Sequence, residues 1–183
     1  MHVTAGDYNR VVLESEESPL TPVGIEQIEK LVDHFKGRSL PAVHTSPFRR
    51  ARQTADILAD QLQLPVVCID RFREFTPTPV QPRIFPKRKR TIRHWFLNSM
   101  VHQFIPVVPV SESIWQAHSR YRAAWNELLD WIAPEEYADC TERLVAVHRG
   151  TVMILLWIFR FNRTWKVVRS DVSNGGITEI IRK

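Results

Sequence analysis

Apolar residues recur at helical spacing in three stretches of the chain, and shorter apolar runs lie between them. Ile25, Ile28, Leu31, Val32 and Phe35 make the first stripe. Thr21 stands ready to cap that helix, Pro22 suits its first position, and Gly37 is a natural stop. Ala51, Thr54, Ala55, Leu58 and Leu62 make the second, after a tight turn at Ser46-Pro47. The third runs through Ile114, Ala117, Tyr121, Ala124, Trp125, Leu128 and Ile132. Its expected cap is Ser111, with Glu112 favouring the first turn. Strands are expected at 40–43, 65–69 and 144–147, and again at 166–169 and 176–181 around the turn Asn174-Gly175-Gly176. Residues 2–18 show no periodicity and read as loop.

Strands alternating with helices imply an α/β fold: a three-layer sandwich with a mostly parallel central sheet flanked by helices. Sites in such sheets gather beyond the carboxyl ends of the strands, which places 44–50 at one such end. A length of 183 residues suits a single domain, 1–183, with a real core. The stretch at about 75–110 stands apart. It holds six of the 12 prolines and reads as a basic, Pro-rich lid or insertion.

Charge sharpens that division. The formal net charge is +5, yet no acidic residue lies between Glu74 and Glu112, where Arg83, Lys87, Arg88, Lys89, Arg90 and Arg93 cluster. The basic excess therefore belongs to one segment. Lys87 to Arg90 beside Trp95 and Phe96 could neutralise phosphates and stack on bases, but a solvated or substrate-facing run is the commoner use, so a nucleic-acid partner is the lesser reading. Cys68 and Cys140 make no disulfide framework and fit a reducing cytoplasm. Neither has metal-ligand spacing, and no metal or cofactor is expected. The first residues are polar, unlike a signal peptide. The most apolar stretch, 144–161, is broken by His148, Arg149 and Arg160, so a core strand and helix are expected rather than a membrane span.

The candidate chemistry begins at His44-Thr45-Ser46-Pro47-Phe48-Arg49-Arg50-Ala51-Arg52-Gln53-Thr54-Ala55. Arg50 would lie in the first turn of a helix, where an arginine fork beside free backbone N–H groups makes an anion site and phosphate is the usual anion. A solvated basic helix start is the plainer alternative for Arg49, Arg50 and Arg52. The stretch resembles the Ser-Ser-Pro-Leu-x-Arg-Ala-x-Gln-Thr-Ala signature of the histidine phosphatase superfamily, the phosphoglycerate-mutase-like proteins. Leu20-Thr21-Pro22-Val23-Gly24-Ile25-Glu26-Gln27 is similar to the family's Leu-Thr-x-x-Gly-x-x-Gln helix start. Phe72-Arg73-Glu74 resembles its Leu-x-Glu, and Ser111-Glu112-Ser113 its Gly-Glu-Ser. Val147-His148-Arg149-Gly150 resembles its histidine before two glycines, with Arg149 crowding the place of the first glycine.

The resemblance implies a phosphoglycerate-mutase-like fold and a phosphomonoester hydrolase acting through a phosphohistidine. His2 is the implied nucleophile, Glu74 the acid and base, and Arg50 and His148 the phosphate-binding pair. The continuation after Glu74 departs from the family's Gly-x-Trp-Glu-Gly, so the substrate stays open between a phosphorylated small molecule and a phosphoprotein. Oligomeric state is likewise open. Two alignments compete at the front. One pairs Asn9 with a family asparagine, puts Val3 at the nucleophile and implies a dead enzyme. The other, which we prefer, matches His2-Val3-Thr4-Ala5-Gly6-Asp7 and keeps His2. Met1 then stands at the motif arginine and the first strand is missing, through a start assigned too late or a degenerate, non-catalytic chain. The 183 residues alone are therefore expected to be marginally stable and weakly active. A non-catalytic phospho-ligand-binding protein and a mutase-type phosphotransferase are the alternatives.

Overall fold

A computed structural model describes residues 16–75 and 112–183. His2, the expected lid beyond Phe75, and Ser111 lie outside the described residues. In chain order the elements are α1 (Pro22–Phe35), β1 (Val43–Thr45), α2 (Arg49–Leu62), β2 (Val66–Cys68), a 3-10 turn (Asp70–Phe72), α3 (Ile114–Asp130), a second 3-10 turn (Glu135–Tyr137), β3 (Leu144–Ala146), α4 (Arg149–Phe159), β4 (Trp165–Arg169) and β5 (Glu179–Arg182).

β1 lies between β2 and β3, parallel to both. Its register sets Val43 beside Val66 and Leu144, and Thr45 beside Cys68 and Ala146. Parallel sheets are covered on both faces, and here both faces of the central strand β1 are. On one side Val43 and Ala146 pack with Ile28, Val32 and Phe35 of α1 and Ala55, Leu58 and Ala59 of α2. On the other, Ala117, Tyr121, Ala124 and Leu128 of α3 pack with Ile154, Leu155 and Phe159 of α4, and Val145 joins them. The period-2 alternation of β3 thus feeds two separate apolar layers. β4 and β5 form a separate antiparallel pair, Trp165 opposite Arg182 and Val167 opposite Ile180.

The helix signals mostly act as the residues dictate. The Thr21 hydroxyl accepts from Gly24 N at 3.1 Å, Pro22 opens α1, and Gly37 takes φ +77° just past its end. Two expectations need correction. Ser113 caps α3, with a reciprocal capping box to Gln116. Ile132 does not extend the buried stripe: it is 88% exposed, because α3 stops at Asp130. Pro134 disfavours helical backbone at the residue before it, so the periodicity runs on past the helix that it describes.

Candidate active site

β1 and β3 are neighbours, and the chain leaves the carboxyl end of each directly into a helix. Ser46 follows β1, and α2 begins at Arg49; His148 is two residues past β3 and is the N-cap of α4. Neither α2 nor α4 has a side-chain hydrogen bond at its N-cap. Two helix N-termini, each with backbone N–H groups and a positive dipole end, therefore stand at one edge of the sheet.

Three side chains that the sequence singled out meet there. Arg50, in the first turn of α2, pairs through Nη2 with the Glu74 carboxylate. Glu74 lies just past the first 3-10 turn, and its Oε2 is 3.7 Å from His148 Nδ1. His148 Nε2 is 3.0 Å from Ser46 Oγ, and the Phe48 ring meets the imidazole edge-on with centroids 5.2 Å apart. The imidazole is thus held from two sides. Burial, and then the positive charge of Arg50, push its pKa down to about 4. Near neutral pH it is uncharged, one ring nitrogen donating and the other accepting.

Gly150 borders this corner, and a Cβ would be accommodated in its place. A Cβ there would lie 3.9 Å from Phe75 Cβ and 4.0 Å from Glu74 Oε1, ordinary contact distances. Arg149 beside it is exposed. A cleft of about 560 Å³ opens past Phe48 and Pro47 and is lined also by Glu16, Glu17, Asp70, Arg71, Arg73 and Arg120.

His44 does not join the site. It lies inside β1, fully buried, with its ring edge-on to Trp131 at 4.9 Å, and neither ring nitrogen has a hydrogen-bond partner among the described residues. The expected reach of the site from 44 to 50 therefore shortens to Ser46, Phe48 and Arg50. Ser46 entered the sequence reading as a turn residue and Phe48 only within the signature stretch; their contacts with His148 are new. Arg120 was missed altogether, and Tyr121 was read only as a core position of the third stripe. Arg120 bonds the carbonyls of Arg71 and Arg73, and the Tyr121 hydroxyl bonds that of Arg73. No local period links Arg120 to Glu112, which lies before the N-cap Ser113 and so outside the helix.

No group of histidine, cysteine and carboxylate residues suited to a metal ion occurs among the described residues. No described helix is long and apolar enough to cross a membrane.

Comparison with known proteins identifies the family and the fold. The family model of the histidine phosphatase superfamily (branch 1) matches residues 3–183. A protein of Hydrogenobacter thermophilus, named as a candidate phosphoserine phosphatase, is 27% identical over 167 residues, 90% of this chain and 77% of that protein. Among solved structures, a mycobacterial glucosyl-3-phosphoglycerate phosphatase superposes with a TM-score of 0.54 at 18% identity, over 81% of this chain and 71% of its own. A phosphoglycerate mutase from Bacillus anthracis gives 0.54 at 19% identity, over 78% and 69%.

Proposed function

We propose, from the premise that the chain belongs to the histidine phosphatase superfamily, that it hydrolyses phosphate monoesters through a phosphohistidine. The observation that carries the reading is the meeting of Arg50, Glu74 and His148 at the carboxyl edge of the sheet, beside two helix N-termini. Residues 1–183 make up the single domain that bears this site.

His2 is the nucleophile. A nitrogen of its ring attacks phosphorus in line, and the P–N bond forms as the bond to the leaving oxygen breaks. Arg50 and His148 donate to the non-bridging oxygens, where negative charge is spread in the transition state. The two helix N-termini add dipoles of the same sign. Glu74 gives its proton to the leaving oxygen. Its carboxylate then takes a proton from water as that water attacks phosphorus, and inorganic phosphate leaves with His2 restored. Every proton in the cycle is accounted for by Glu74 and water.

The pairing of Arg50 with Glu74 has a direct consequence. A phosphoryl group accepts from the arginine fork bidentately and carries more charge than one carboxylate. An entering substrate competes for Arg50 and leaves Glu74 beside the leaving oxygen.

Arg50→Ala tests this reading. It should leave the circular-dichroism spectrum unchanged, since the guanidinium is no part of the apolar core, and should lower kcat/KM on p-nitrophenyl phosphate by about 100-fold or more. Wild-type turnover in that variant would remove Arg50 from the phosphate site. Phosphate binding with no turnover in the parent chain would instead favour a non-catalytic phospho-ligand-binding protein.

A further inference from the structure

The Glu74 carboxylate is carried by an irregular stretch. Residues 73–75 follow the 3-10 turn Asp70–Phe72 and belong to no helix or strand. A proton donor placed on such backbone needs something else to hold it, because catalysis by proton transfer depends on reach within a few tenths of an ångström.

That hold comes from α3. Arg120 Nη1 donates to the carbonyl of Arg71 at 2.6 Å and to that of Arg73 at 2.8 Å. The Tyr121 hydroxyl donates to the same Arg73 carbonyl at 2.9 Å. This carbonyl belongs to the peptide unit whose N–H is that of Glu74. Fixing it therefore fixes the plane from which the Glu74 side chain starts.

Arg120 is itself immobilised. Its Nε donates to Glu112 Oε2 at 3.0 Å, and its Nη2 pairs with Glu112 Oε1. Both side chains are nearly buried, at 13% and 11% exposure. The guanidinium carbon also lies 4.4 Å from the centroid of the Tyr121 ring. Tyr121 in turn accepts from Thr151 Oγ1 at 3.1 Å, in the first turn of the helix that His148 caps. One line of contacts thus joins the backbone of Glu74 to the helix of His148.

A plain loop staple would not need this arrangement. Phe72 is already buried in the α3–α4 core and anchors the turn. A nearly buried ion pair is a poor way to gain stability, since desolvation offsets most of its attraction. What it supplies is a fixed geometry.

We propose that Arg120, locked by Glu112 and Tyr121, is a positioning residue that sets the Glu74 carboxyl against the leaving-group oxygen. The inference rests on the reading of Glu74 as proton donor, and it predicts a signature that a merely structural role would not give. Protonation matters most for a basic leaving oxygen and hardly at all for an acidic one. Loss of positioning must therefore penalise alkyl phosphates and spare activated aryl phosphates.

The test is a leaving-group series in kcat/KM, from 2,4-dinitrophenyl through p-nitrophenyl and phenyl to alkyl phosphates. It is run on the full chain and on Arg120→Met, Tyr121→Phe and Glu74→Gln. Arg120→Met should lose about 10-fold or more on the alkyl ester and less than about 3-fold on the dinitrophenyl ester, with Tyr121→Phe smaller in the same sense and Glu74→Gln steepest. A loss that is uniform across the series, or no loss, in Arg120→Met and Tyr121→Phe beside a steep Glu74→Gln would overturn the positioning role alone. A uniform loss in Glu74→Gln would overturn the proton-donor reading, and the positioning role with it. If Arg120→Met fails to fold, Tyr121→Phe decides the matter, because it removes one hydroxyl and strands no buried charge.

Discussion

Two histidines show how much a single imidazole depends on where the backbone points it. His44 and His148 both have pKa values lowered to about 4, in each case first by burial, with Arg143 and Arg50 respectively adding to the push. They differ in partners. His148 is edged by Phe48 and bonded to Ser46, facing Arg50 and Glu74, whereas His44 is sealed against Trp131. An unfolded chain binds a proton on each near pH 6.5, while the folded chain does so only near 4. Between those values the unfolded state holds more protons, so the stability these groups contribute is complete above about pH 6.5 and is lost as pH falls toward 4. The full effect is on the order of 3 kcal/mol per histidine at most. Urea melts from pH 7 to pH 4 should show it, and His44→Phe should flatten the curve. An equally steep curve in His44→Phe would place the acid sensitivity elsewhere. The sequence marked His148 through its motif, but nothing in it separated His44 from the site, because burial depends on which layer covers each face of β1.

Among the elements, α3 carries most of what the sequence concealed. Its apolar stripe was legible, and Ala117, Tyr121, Ala124 and Leu128 are the residues it buries. Its polar edge was not. Arg120 beside an apolar stripe looks like any solvated cation until the 71–73 carbonyls are seen to lie against it. Ile132 failed for the opposite reason, since a pattern continues in sequence after Pro134 has helped to end the helix. The cap is also functional in its consequences. Ser113 Oγ accepts from Gln116 N at 3.2 Å, and Gln116 Oε1 accepts from Ser113 N at 2.8 Å, so the box fixes the residue directly after Glu112. Ser113→Ala should lower unfolding stability by about 1 kcal/mol. Chemical denaturation checks this, and an unchanged midpoint would mean that the box is not formed in solution.

At the scale of the molecule, the alternation of strands and helices was enough to fix a parallel sheet with two apolar layers, because each short strand between amphipathic helices has two faces to cover. The same logic pointed to the edge where the candidate site residues meet, since adjacent parallel strands deliver their following helices to one edge. Ordered motif residues then supplied Arg50, Glu74 and His148. Less was legible in what surrounds them: the contacts of Ser46 and Phe48, and the hold of α3 on the 71–73 backbone, arise between segments tens of residues apart and leave no local period.

The central claim is a covalent one, and trapping the intermediate tests it most directly. The chain is mixed with a phosphate monoester, quenched within milliseconds in alkali, where a phosphoramidate survives, and digested for mass spectrometry. The account predicts phosphate on His2, lost on brief acid treatment and absent from His2→Ala. A chain that turns over the ester with no phosphate on His2, or a label that persists in His2→Ala, would contradict it.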